Sequence, residues 1–378
     1  MSSSVSVIVP TYNRSSLLKE TLDSVLAQSM QPAEIIVVDD CSPDDTLDLV
    51  KSYGDRVRAI TKPTNRGKAH SINLALAECQ HPLVWIVDDD DLVKADAMEK
   101  LVTALDRNPR AGFAYGRHTR FAKDASGKCK ELGTGYWTTC SDDELLVRTL
   151  EDFFVHQPGM IVRRTVIDEA GPLNEKLVRS QDYDFLIRLA RVSRGVGSDD
   201  IVFYQRQHDG LRGTRDTSFS AAQRDQKWVE YDQMIFRQLH QDMALSEYLP
   251  GDCEAASPDG QRRALMQRGV IMARKKLWDL AITDFHAAAG IGSNQLTADE
   301  RNILKRAFSS KYGCGEVLTG SFPLDQVSNL DSAGPTGSAI RQALASGLRW
   351  RIRDGFKQGK PMEALSYFRV YSKLRLNI

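Results

Sequence analysis

The first hundred residues alternate between two kinds of apolar pattern. Short apolar-rich runs are VSVIVP, EIIVVDD, VRAITK and LVWIV, and between them apolar residues recur at helical spacing, as in Leu18, Leu22 and Val25. Strands that are apolar throughout are buried on both faces, and parallel strands need crossover helices to connect them. The alternation therefore predicts a parallel sheet covered by helices on both faces. After the second strand, Ser42 is predicted to cap a helix that Pro43 opens.

The pattern changes between Ala111 and Gln207, where strands mix with short helices. AGFAYGRHTRFA, PGMIVRR and DDIVFYQRQ are typical of extended chain, and SQDYDFLIRLAR is typical of an amphipathic helix. We expect this half to extend the sheet and to form a second binding surface. The segment RQHDGLRGTRDTS is rich in turn residues and poor in apolar ones, so a mobile loop is predicted there.

Beyond Asp216 the sequence predicts helices almost throughout. RRALMQRGVIMARKKLWDLAITDFHAAAG and GKPMEALSYFRVYSKL each resemble a helical hairpin and suggest two repeat-like units, with SNLDSAGPTGS as a linker between them. The chain is therefore expected to divide into an α/β domain over residues 1–215 and a smaller, all-helical domain over residues 216–378.

The charge of the chain is balanced overall but uneven along its length. Lys plus Arg and Asp plus Glu each number 50, which favours neither a nucleic-acid binder nor an acidic protein. From Arg301 to Ile378, however, 13 basic residues face 5 acidic ones. The N-terminus shows no basic leader, no apolar stretch reaches about 20 residues, and the six cysteines form no CxxC pair. We expect a cytoplasmic protein.

Four consecutive aspartates, Asp88 to Asp91, follow the fourth predicted strand in the run WIVDDDDLV. Neighbouring carboxylates raise each other's pKa values and oppose folding, and a divalent cation removes that cost. Ligands that are all oxygen suit Mg²⁺ or Mn²⁺, which commonly complete their shell with phosphate oxygens. The alternative is that the acids cap a helix beginning between Asp91 and Lys94, and the run alone does not decide between the two.

Four linked motifs bear on that choice. VSVIVPTYNR, EIIVVDDCSPDDT, NRGKAHSINLAL and WIVDDDDLV occur in the order and approximate spacing found in the inverting family 2 glycosyltransferases, and the chain resembles that family over roughly residues 4 to 210. The resemblance implies a GT-A fold, which is a Rossmann-like, mostly parallel sheet with helices on both faces. It also implies that residues 1–215 form the catalytic domain.

The resemblance implies a set of donor-binding residues. Asp40 would accept a hydrogen bond from the nucleotide base, and Asp88 and Asp89 would contact the ribose or the waters around the metal. The loop of Asn65, Arg66, Gly67 and Lys68 would close over the nucleotide or its phosphates. Four residues after the first strand would border the base: Pro10, Thr11, Tyr12 and Arg14.

The resemblance also implies a metal site and a catalytic base. Asp90 and Asp88 would hold Mn²⁺ or Mg²⁺, whereas Asp91 matches a frequent extra acid without an assigned role. The segment GPLNEKLVRSQDYDFLIRLA places Asp182 where the family has its general base. Asp184 is the weaker candidate for that base. Gln181 departs from the family, which usually has Glu there, and so removes one negative charge from beside Asp182.

A second element of the resemblance is a YRxH-like motif that ends the catalytic domain. It corresponds to Tyr204, Gln205, Arg206, Gln207 and His208 in this chain. His208, as a neutral imidazole, could complete the metal shell or contact the diphosphate.

The predicted function is metal-dependent transfer of a sugar from a nucleoside diphosphate donor, with UDP expected, to an acceptor hydroxyl in envelope or other surface glycan synthesis. A silent nucleotide-sugar-binding or scaffolding protein is the alternative from another class, and a polymer, protein or nucleic acid as acceptor is a further one. A sugar-1-phosphate nucleotidyltransferase is disfavoured because VPTYNRSS lacks the glycine-rich loop that binds a triphosphate.

The basic tail bears on the acceptor and on other partners. ASGLRWRIRDGFKQGK combines a tryptophan with arginines and lysines, as peripheral helices at anionic membranes do. A glycan or lipid-linked acceptor at the inner face of the membrane is therefore expected. An anionic polymer or a second subunit bound by the tail, or a solvated face of a packed helix, are alternatives.

Overall fold

The computed structural model describes residues 4–124, 127–207, 224–251, 256–292 and 295–376. These residues form two compact units. The first comprises the described residues of Met1–Leu145 and Phe153–Arg224, and the second those of Leu146–Asp152 and Asp225–Ile378. The predicted boundary at 215/216, the predicted mobile loop beyond Gln207, and His208 lie outside the described residues.

The elements up to Arg206 alternate strands with helices. The strands are β1 (Val5–Thr11), β2 (Glu34–Asp39), β3 (Arg58–Thr61), β4 (Leu83–Ile86), β5 (Leu92–Val93), β6 (Ala111–Lys123), β7 (Cys129–Thr134), β8 (Met160–Arg163) and β9 (Arg194–Arg206). The helices are α1 (Ser15–Leu26), α2 (Thr46–Ser52), α3 (Lys68–Glu78), α4 (Ala97–Arg107), α5 (Leu145–Glu151), α6 (Arg164–Ala170) and α7 (Gln181–Val192).

The nine strands of the described residues form one mixed sheet in the order β3-β2-β1-β4-β8-β6-β9-β5, with β7 paired to β6. The four strands predicted from the first hundred residues are β1 to β4, and they are parallel to one another. The second half extends this sheet as predicted: β8 runs antiparallel between β4 and β6, and β9 pairs parallel with β6.

The core of the first unit lies on both faces of the parallel strands. Side chains alternate along a strand, so Val5, Val7 and Val9 share one face, where they cluster with buried residues of α1 and α4. Ile8 is equally buried and points to the opposite face, where α3 contacts β1 and β2. Because both faces are covered, the strands can be apolar throughout, and polar groups concentrate beyond the strand ends.

The helix predicted to begin at Ser42 and Pro43 begins later, so that prediction is wrong. Helix α2 starts at Thr46. The Ser42 hydroxyl accepts a hydrogen bond from the backbone of Asn13, 2.8 Å away, instead of capping a helix. Asp44 accepts hydrogen bonds from the backbone amides of Ser15 and Thr46. The polar residues after β2 therefore tie the loops after β1 and β2 together.

The second unit is helical throughout its described residues. Its helices beyond α5 are α8 (Arg224–Asp242), α9 (Pro258–Arg274), α10 (Trp278–Ala289), α11 (Ala298–Leu304), α12 (Gly315–Thr319), α13 (Leu324–Ser328), α14 (Gly334–Ser346), α15 (Arg349–Lys357) and α16 (Pro361–Leu376). Residues 146–152 group with this unit because Glu151 pairs with Arg306 at 2.9 Å and Asp152 pairs with Arg274.

The predicted linker SNLDSAGPTGS is packed helical structure, so that prediction is also wrong. It forms a 3-10 turn over Asn329–Ala333 and the first residues of α14. Gly334, with φ of +80°, makes the turn, and the proline after it occupies the first turn of the helix, where its missing N–H has no cost. Asp331 pairs with Arg341 at 2.7 Å, and Leu330 is fully buried.

Within the described ranges, none of the helices has the length and apolar character that crossing a membrane requires.

Candidate functional site

A crevice of about 510 Å³ opens beyond the carboxyl ends of β1, β2 and β4. Loops at this edge of a parallel sheet converge where the strand order reverses, which is where ligands bind in open α/β sheets. Most of the predicted site residues line it: Pro10, Thr11, Tyr12, Arg14, Asp40, Asn65, Arg66, Gly67, Lys68, Asp88, Asp89 and Asp90. The structure thus brings together four segments that lie far apart in the chain.

The four consecutive aspartates separate into a group of three and one residue that faces elsewhere. Asp88, Asp90 and Asp91 each offer a carboxylate oxygen within 4.8 Å of the other two, and we call these three the aspartate triad. Asp89 is buried instead and accepts hydrogen bonds from the Thr11 hydroxyl at 2.8 Å and from Arg14 at 3.0 Å. The sequence had assigned no role to Asp91.

Burial and mutual repulsion make this cluster electrostatically costly. Burial, with the nearby charge of Asp90, raises the pKa of Asp89 to about 6, although Arg14 and Thr11 act in the opposite direction. Burial also raises the pKa of Asp91 well above its ordinary value, and the charges of Asp90 and Asp88 add to that rise. A positive charge at the triad would lower both pKa values.

Two basic side chains supply part of that positive charge. Arg14 contacts Asp90 at 2.9 Å as well as Asp89, and the Lys68 ammonium lies 2.5 Å from an Asp88 oxygen. Burial alone would lower the pKa of Lys68, but the carboxylates of Asp88 and Asp182 raise it above its ordinary value. Arg14, predicted to border the base, therefore contacts the carboxylates, and its role in donor binding remains a prediction.

The backbone of the triad is held from two sides. On one side, the Thr21 hydroxyl of α1 donates to the Asp91 carbonyl at 2.8 Å, and the Gln28 amide of the segment after α1 donates to the Lys94 carbonyl at 2.6 Å. On the other, buried Arg206 donates its backbone N–H to the Asp91 carboxylate at 2.9 Å and its Nε to the Asp90 carbonyl at 2.8 Å. These contacts fix the backbone around Asp90 and Asp91 and the carboxylate of Asp91.

The alternative in which the acids start a helix does not hold. The residues after Asp91 form β5, which pairs antiparallel with β9, and α4 begins only at Ala97. Asp91 accepts the backbone N–H of Arg206 rather than an N–H of a helix. The sequence had marked Arg206 only as part of a motif, and its partners lie more than 100 residues earlier, so no local pattern could reveal this role.

Asp40 organises the loop of residues 65–68. Its two carboxylate oxygens accept the backbone N–H groups of Arg66 at 2.8 Å and Gly67 at 2.7 Å. Buried Lys62 lies 2.5 Å from the same carboxylate and also donates to the Ser71 hydroxyl at 3.0 Å. We call Asp40, Lys62 and these loop contacts the Asp40 clamp. Lys62 was not among the predicted site residues.

Asp182 and Asp184 lie in the first turn of α7 but have different surroundings. Asp182 directly follows Gln181, which lines the crevice, and its carboxylate accepts its neighbour's backbone N–H at 3.0 Å. Asp184 pairs with Arg188 at 2.9 Å, and Arg188 also donates to the carbonyls of Ala170 and Gly171 at the end of α6. Asp184 therefore braces the helix, which supports its standing as the weaker candidate.

The segment before α7 forms a wall of the crevice that the site prediction missed. Glu175, Leu177, Val178 and Arg179 all line it. Glu175 contacts Arg66 at 3.4 Å, so this wall reaches the loop of the Asp40 clamp. The segment GPLNEKLVRSQDYD contains these wall residues and was part of the resemblance, but only the catalytic base was predicted from it.

The triad suits a divalent cation. Its donors are carboxylate oxygens alone, the ligand type that Mg²⁺ and Mn²⁺ prefer. Asp89 and Asp91 have raised pKa values even with Arg14 and Lys68 nearby, chiefly because they are buried, and a cation at the triad would lower both. His208, the other predicted ligand, lies outside the described residues.

Residues 6–171 match the family model described as "Glycosyl transferase family 2". This segment is therefore similar to the family 2 glycosyltransferases. A putative teichuronic acid biosynthesis glycosyltransferase, TuaG, of Bacillus subtilis is 36% identical over 32% of this chain and 49% of its own length. An uncharacterized glycosyltransferase of Haemophilus influenzae is 27% identical over 49% of this chain and 61% of its own. The chain thus spans less than two thirds of these relatives.

The fold of the α/β unit and of the helical unit is also found in a solved structure. TarS 1–349 from S. aureus superimposes with a TM-score of 0.54 at 18% identity, covering 99% of this chain and 92% of that one. The same protein has been solved with UDP-GlcNAc, where the TM-score is 0.53. The predicted class, a GT-A α/β fold followed by a helical region, is confirmed.

Proposed function

We propose that this protein is an inverting glycosyltransferase that moves a sugar from a nucleoside diphosphate donor to an acceptor hydroxyl. The observation that carries the proposal is the meeting of the aspartate triad, Lys68, Arg14 and the Asp40 clamp in one crevice next to the start of α7. This arrangement offers carboxylates for a cation, the basic side chains of Arg14 and Lys68 for a diphosphate, and the Asp182 carboxylate on α7 for an acceptor.

The donor would bind along the loops after β1, β2 and β3. Tyr12 is half-buried at the crevice and offers a ring on which a base can stack. The loop of residues 65–68 presents the Lys68 ammonium to phosphates, while Asp40 holds the backbone of that loop. UDP as the nucleotide is supported by the UDP-GlcNAc complex of TarS, a protein with the same fold.

Asp88, Asp90 and Asp91 would hold Mn²⁺ or Mg²⁺. A divalent cation bound there neutralises negative charge on a leaving diphosphate. Arg206 holds Asp90 and Asp91 in place, and Arg14 and Lys68 add positive charge on the side that the diphosphate would face.

Asp182 would act as the general base. Its carboxylate takes the proton of the acceptor hydroxyl as that oxygen attacks the anomeric carbon, and the bond from that carbon to the diphosphate oxygen breaks. One displacement inverts the configuration at the anomeric carbon. The electrostatic effect of Asp182 on Lys68 supports this assignment, because Lys68 also contacts the triad.

The acceptor is proposed to be a glycan or a lipid-linked glycan at the inner face of the membrane. The similarity to a putative teichuronic acid glycosyltransferase supports an envelope glycan, and the basic helices of the second unit support a site of action at a charged surface. The donor sugar would be selected by side chains of the wall formed by residues 175–181.

The test is donor hydrolysis with Mn²⁺ in the full-length chain carrying Asp182→Asn. Removing a general base lowers turnover by about 10²- to 10⁴-fold. UDP affinity, measured by calorimetry, should stay within about twofold, because the base acts on the acceptor side and not on the nucleotide.

Asp184→Asn is the matched control in the same turn of α7. It removes the pair with Arg188 and should lower the melting temperature while turnover of the folded protein persists. If Asp182→Asn kept its rate but lost UDP affinity, the role assigned to Asp182 would be wrong. UDP binding by the unsubstituted chain without any turnover would favour the silent nucleotide-sugar-binding protein instead.

A further inference from the structure

Exposed apolar side chains of the second unit concentrate on its last two helices. Of the ten large apolar side chains that the described residues expose, six lie within residues 350–376. Met362 is 75% exposed, Phe356 55%, and Leu365 and Phe368 50% each. We call α15 and α16 together the basic hairpin. Apolar side chains gathered this closely on a surface mark an interaction site.

The charges around these side chains are almost all positive. Residues 349–376 carry eight basic and two acidic residues. Both acids, Asp354 and Glu363, are partly buried, and Glu363 lies 3.6 Å from Lys360. The exposed charges of the hairpin are therefore predominantly basic: Arg349, Arg353, Lys357, Lys360, Arg369, Lys373 and Arg375.

The two helices are packed closely enough to present one continuous face. Gly355 lies against Ala364, where a Cβ on the glycine would come within 3.0 Å of the alanine Cβ. The Arg349 guanidinium of α15 stacks over the Tyr371 ring of α16 at 5.7 Å, and Phe368 lies 6.3 Å from the same ring. Basic and apolar side chains of the two helices thus neighbour each other.

We propose that the basic hairpin docks the protein on an anionic lipid surface. Acyl chains accept the exposed apolar side chains, and lipid phosphates neutralise the basic ones around them. Docking on an anionic lipid surface needs both the exposed apolar side chains and the basic side chains around them. The inference goes beyond the proposed transfer reaction and does not depend on it, since docking is measured without any donor.

Two other partners fit the face less well. A symmetric dimer through this patch would bring seven exposed positive charges against the same seven, because a two-fold interface meets its own copy. A nucleic acid would match the charge but would leave Met362, Leu365 and Phe368 against sugar and phosphate, where burying them gains little.

The experiment is sedimentation of the full-length chain with vesicles of phosphatidylcholine, with and without an equal part of phosphatidylglycerol. Binding should require phosphatidylglycerol and should weaken as salt is raised. The double variant Leu365→Ser with Phe368→Ser keeps every charge and should bind about tenfold more weakly. Arg369→Gln with Lys373→Gln should weaken binding by about fivefold for each basic side chain removed.

Met234→Ser is the matched control. Met234 is 59% exposed on α8 of the same unit but lies outside the hairpin, so its loss should leave vesicle binding unchanged. Circular dichroism melting would show that each variant is folded.

Equal binding to vesicles with and without phosphatidylglycerol, or full binding by the Leu365→Ser and Phe368→Ser variant, would overturn the proposal. The proposal would also be overturned if the unsubstituted chain were a dimer and the Leu365→Ser and Phe368→Ser variant a monomer. Failure of donor turnover would leave it unaffected.

Discussion

Asp89 and Asp91 are the two buried members of a run of four acids, and each is satisfied by partners from distant parts of the chain. Thr11 and Arg14 hold Asp89, and the backbone of Arg206 holds Asp91. Their pKa values remain raised despite these partners, because burial and the neighbouring carboxylates outweigh them. An additional positive charge nearby would therefore lower the pKa values of both residues.

The raised pKa of Asp89 predicts how pH affects the protein. Such a carboxyl keeps its proton in the folded protein at a pH where the unfolded chain has released it. Its contribution to the free energy of unfolding is present below the unfolded value of 3.8 and is lost as the pH rises through about 6. Ionised Asp89 adds negative charge beside the triad and so favours a bound cation, and the rise in melting temperature caused by Mn²⁺ should therefore grow from about pH 5 to about pH 7.

Thermal unfolding with and without Mn²⁺ across this range measures the effect. Asp89→Asn removes one titrating group and should flatten the dependence, whereas Asp23→Asn, at an exposed pair with Lys19, should leave it unchanged. A stabilisation by Mn²⁺ that is constant across the range, or larger in acid, would contradict the account.

The sequence predicted that these four aspartates belong to the site but not which of them form the aspartate triad. The run Asp88 to Asp91 indicated a cation, and three of the four do form a cluster. Which three could not be read from the sequence, because Asp89 is turned away by Thr11, 78 residues earlier, and Asp91 is positioned by Arg206, 115 residues later.

At the scale of elements, the loop after β3 depends on the Asp40 clamp. Lys62 and Asp40 are both almost fully buried, with side-chain exposures of 2% and 5%. Removing one partner of a buried ion pair leaves the other charge uncompensated, which costs about 3 to 5 kcal/mol. Lys62→Met should therefore lower the free energy of unfolding by about that amount and weaken UDP binding, since the loop carries Lys68.

Urea unfolding and UDP calorimetry test the clamp together. Lys51→Met is the control, because Lys51 and Asp48 form an exposed pair whose loss should cost less than about 1 kcal/mol. Adding Asp40→Asn to Lys62→Met removes the buried charge and should recover part of the stability. Equal losses of stability and of UDP affinity in Lys62→Met and Lys51→Met would contradict the role given to the Asp40 clamp.

Elements with strong periodicity were predictable, and elements fixed by tertiary contacts were not. Strands β1 to β4 and helices α1, α3 and α7 agree with the apolar patterns that predicted them. Ser42 and Pro43 suggested a helix start, but Ser42 bonds to the loop after β1 instead. Gly334 and the proline after it suggested a linker, yet these residues equally suit the first turn of a helix that packing stabilises.

The whole molecule combines an α/β unit, which is similar to family 2 glycosyltransferases over residues 6–171, with a helical unit, and each has its own proposed task. The first unit contains the complete crevice, from the triad to the wall before α7. The second contains the basic hairpin. Composition predicted the charge of the hairpin, but its exposed apolar face appeared only once the packing of α15 on α16 was known.

The claim on which the function rests is that the aspartate triad holds a divalent cation together with a nucleoside diphosphate. The most direct measurement is an electron paramagnetic resonance titration of the full-length chain with Mn²⁺, with and without UDP. One bound Mn²⁺ per chain is expected, held more tightly when UDP is present and lost in Asp90→Asn. If Mn²⁺ failed to bind, or bound Asp90→Asn as well as the unsubstituted chain, the metal site proposed here would be wrong.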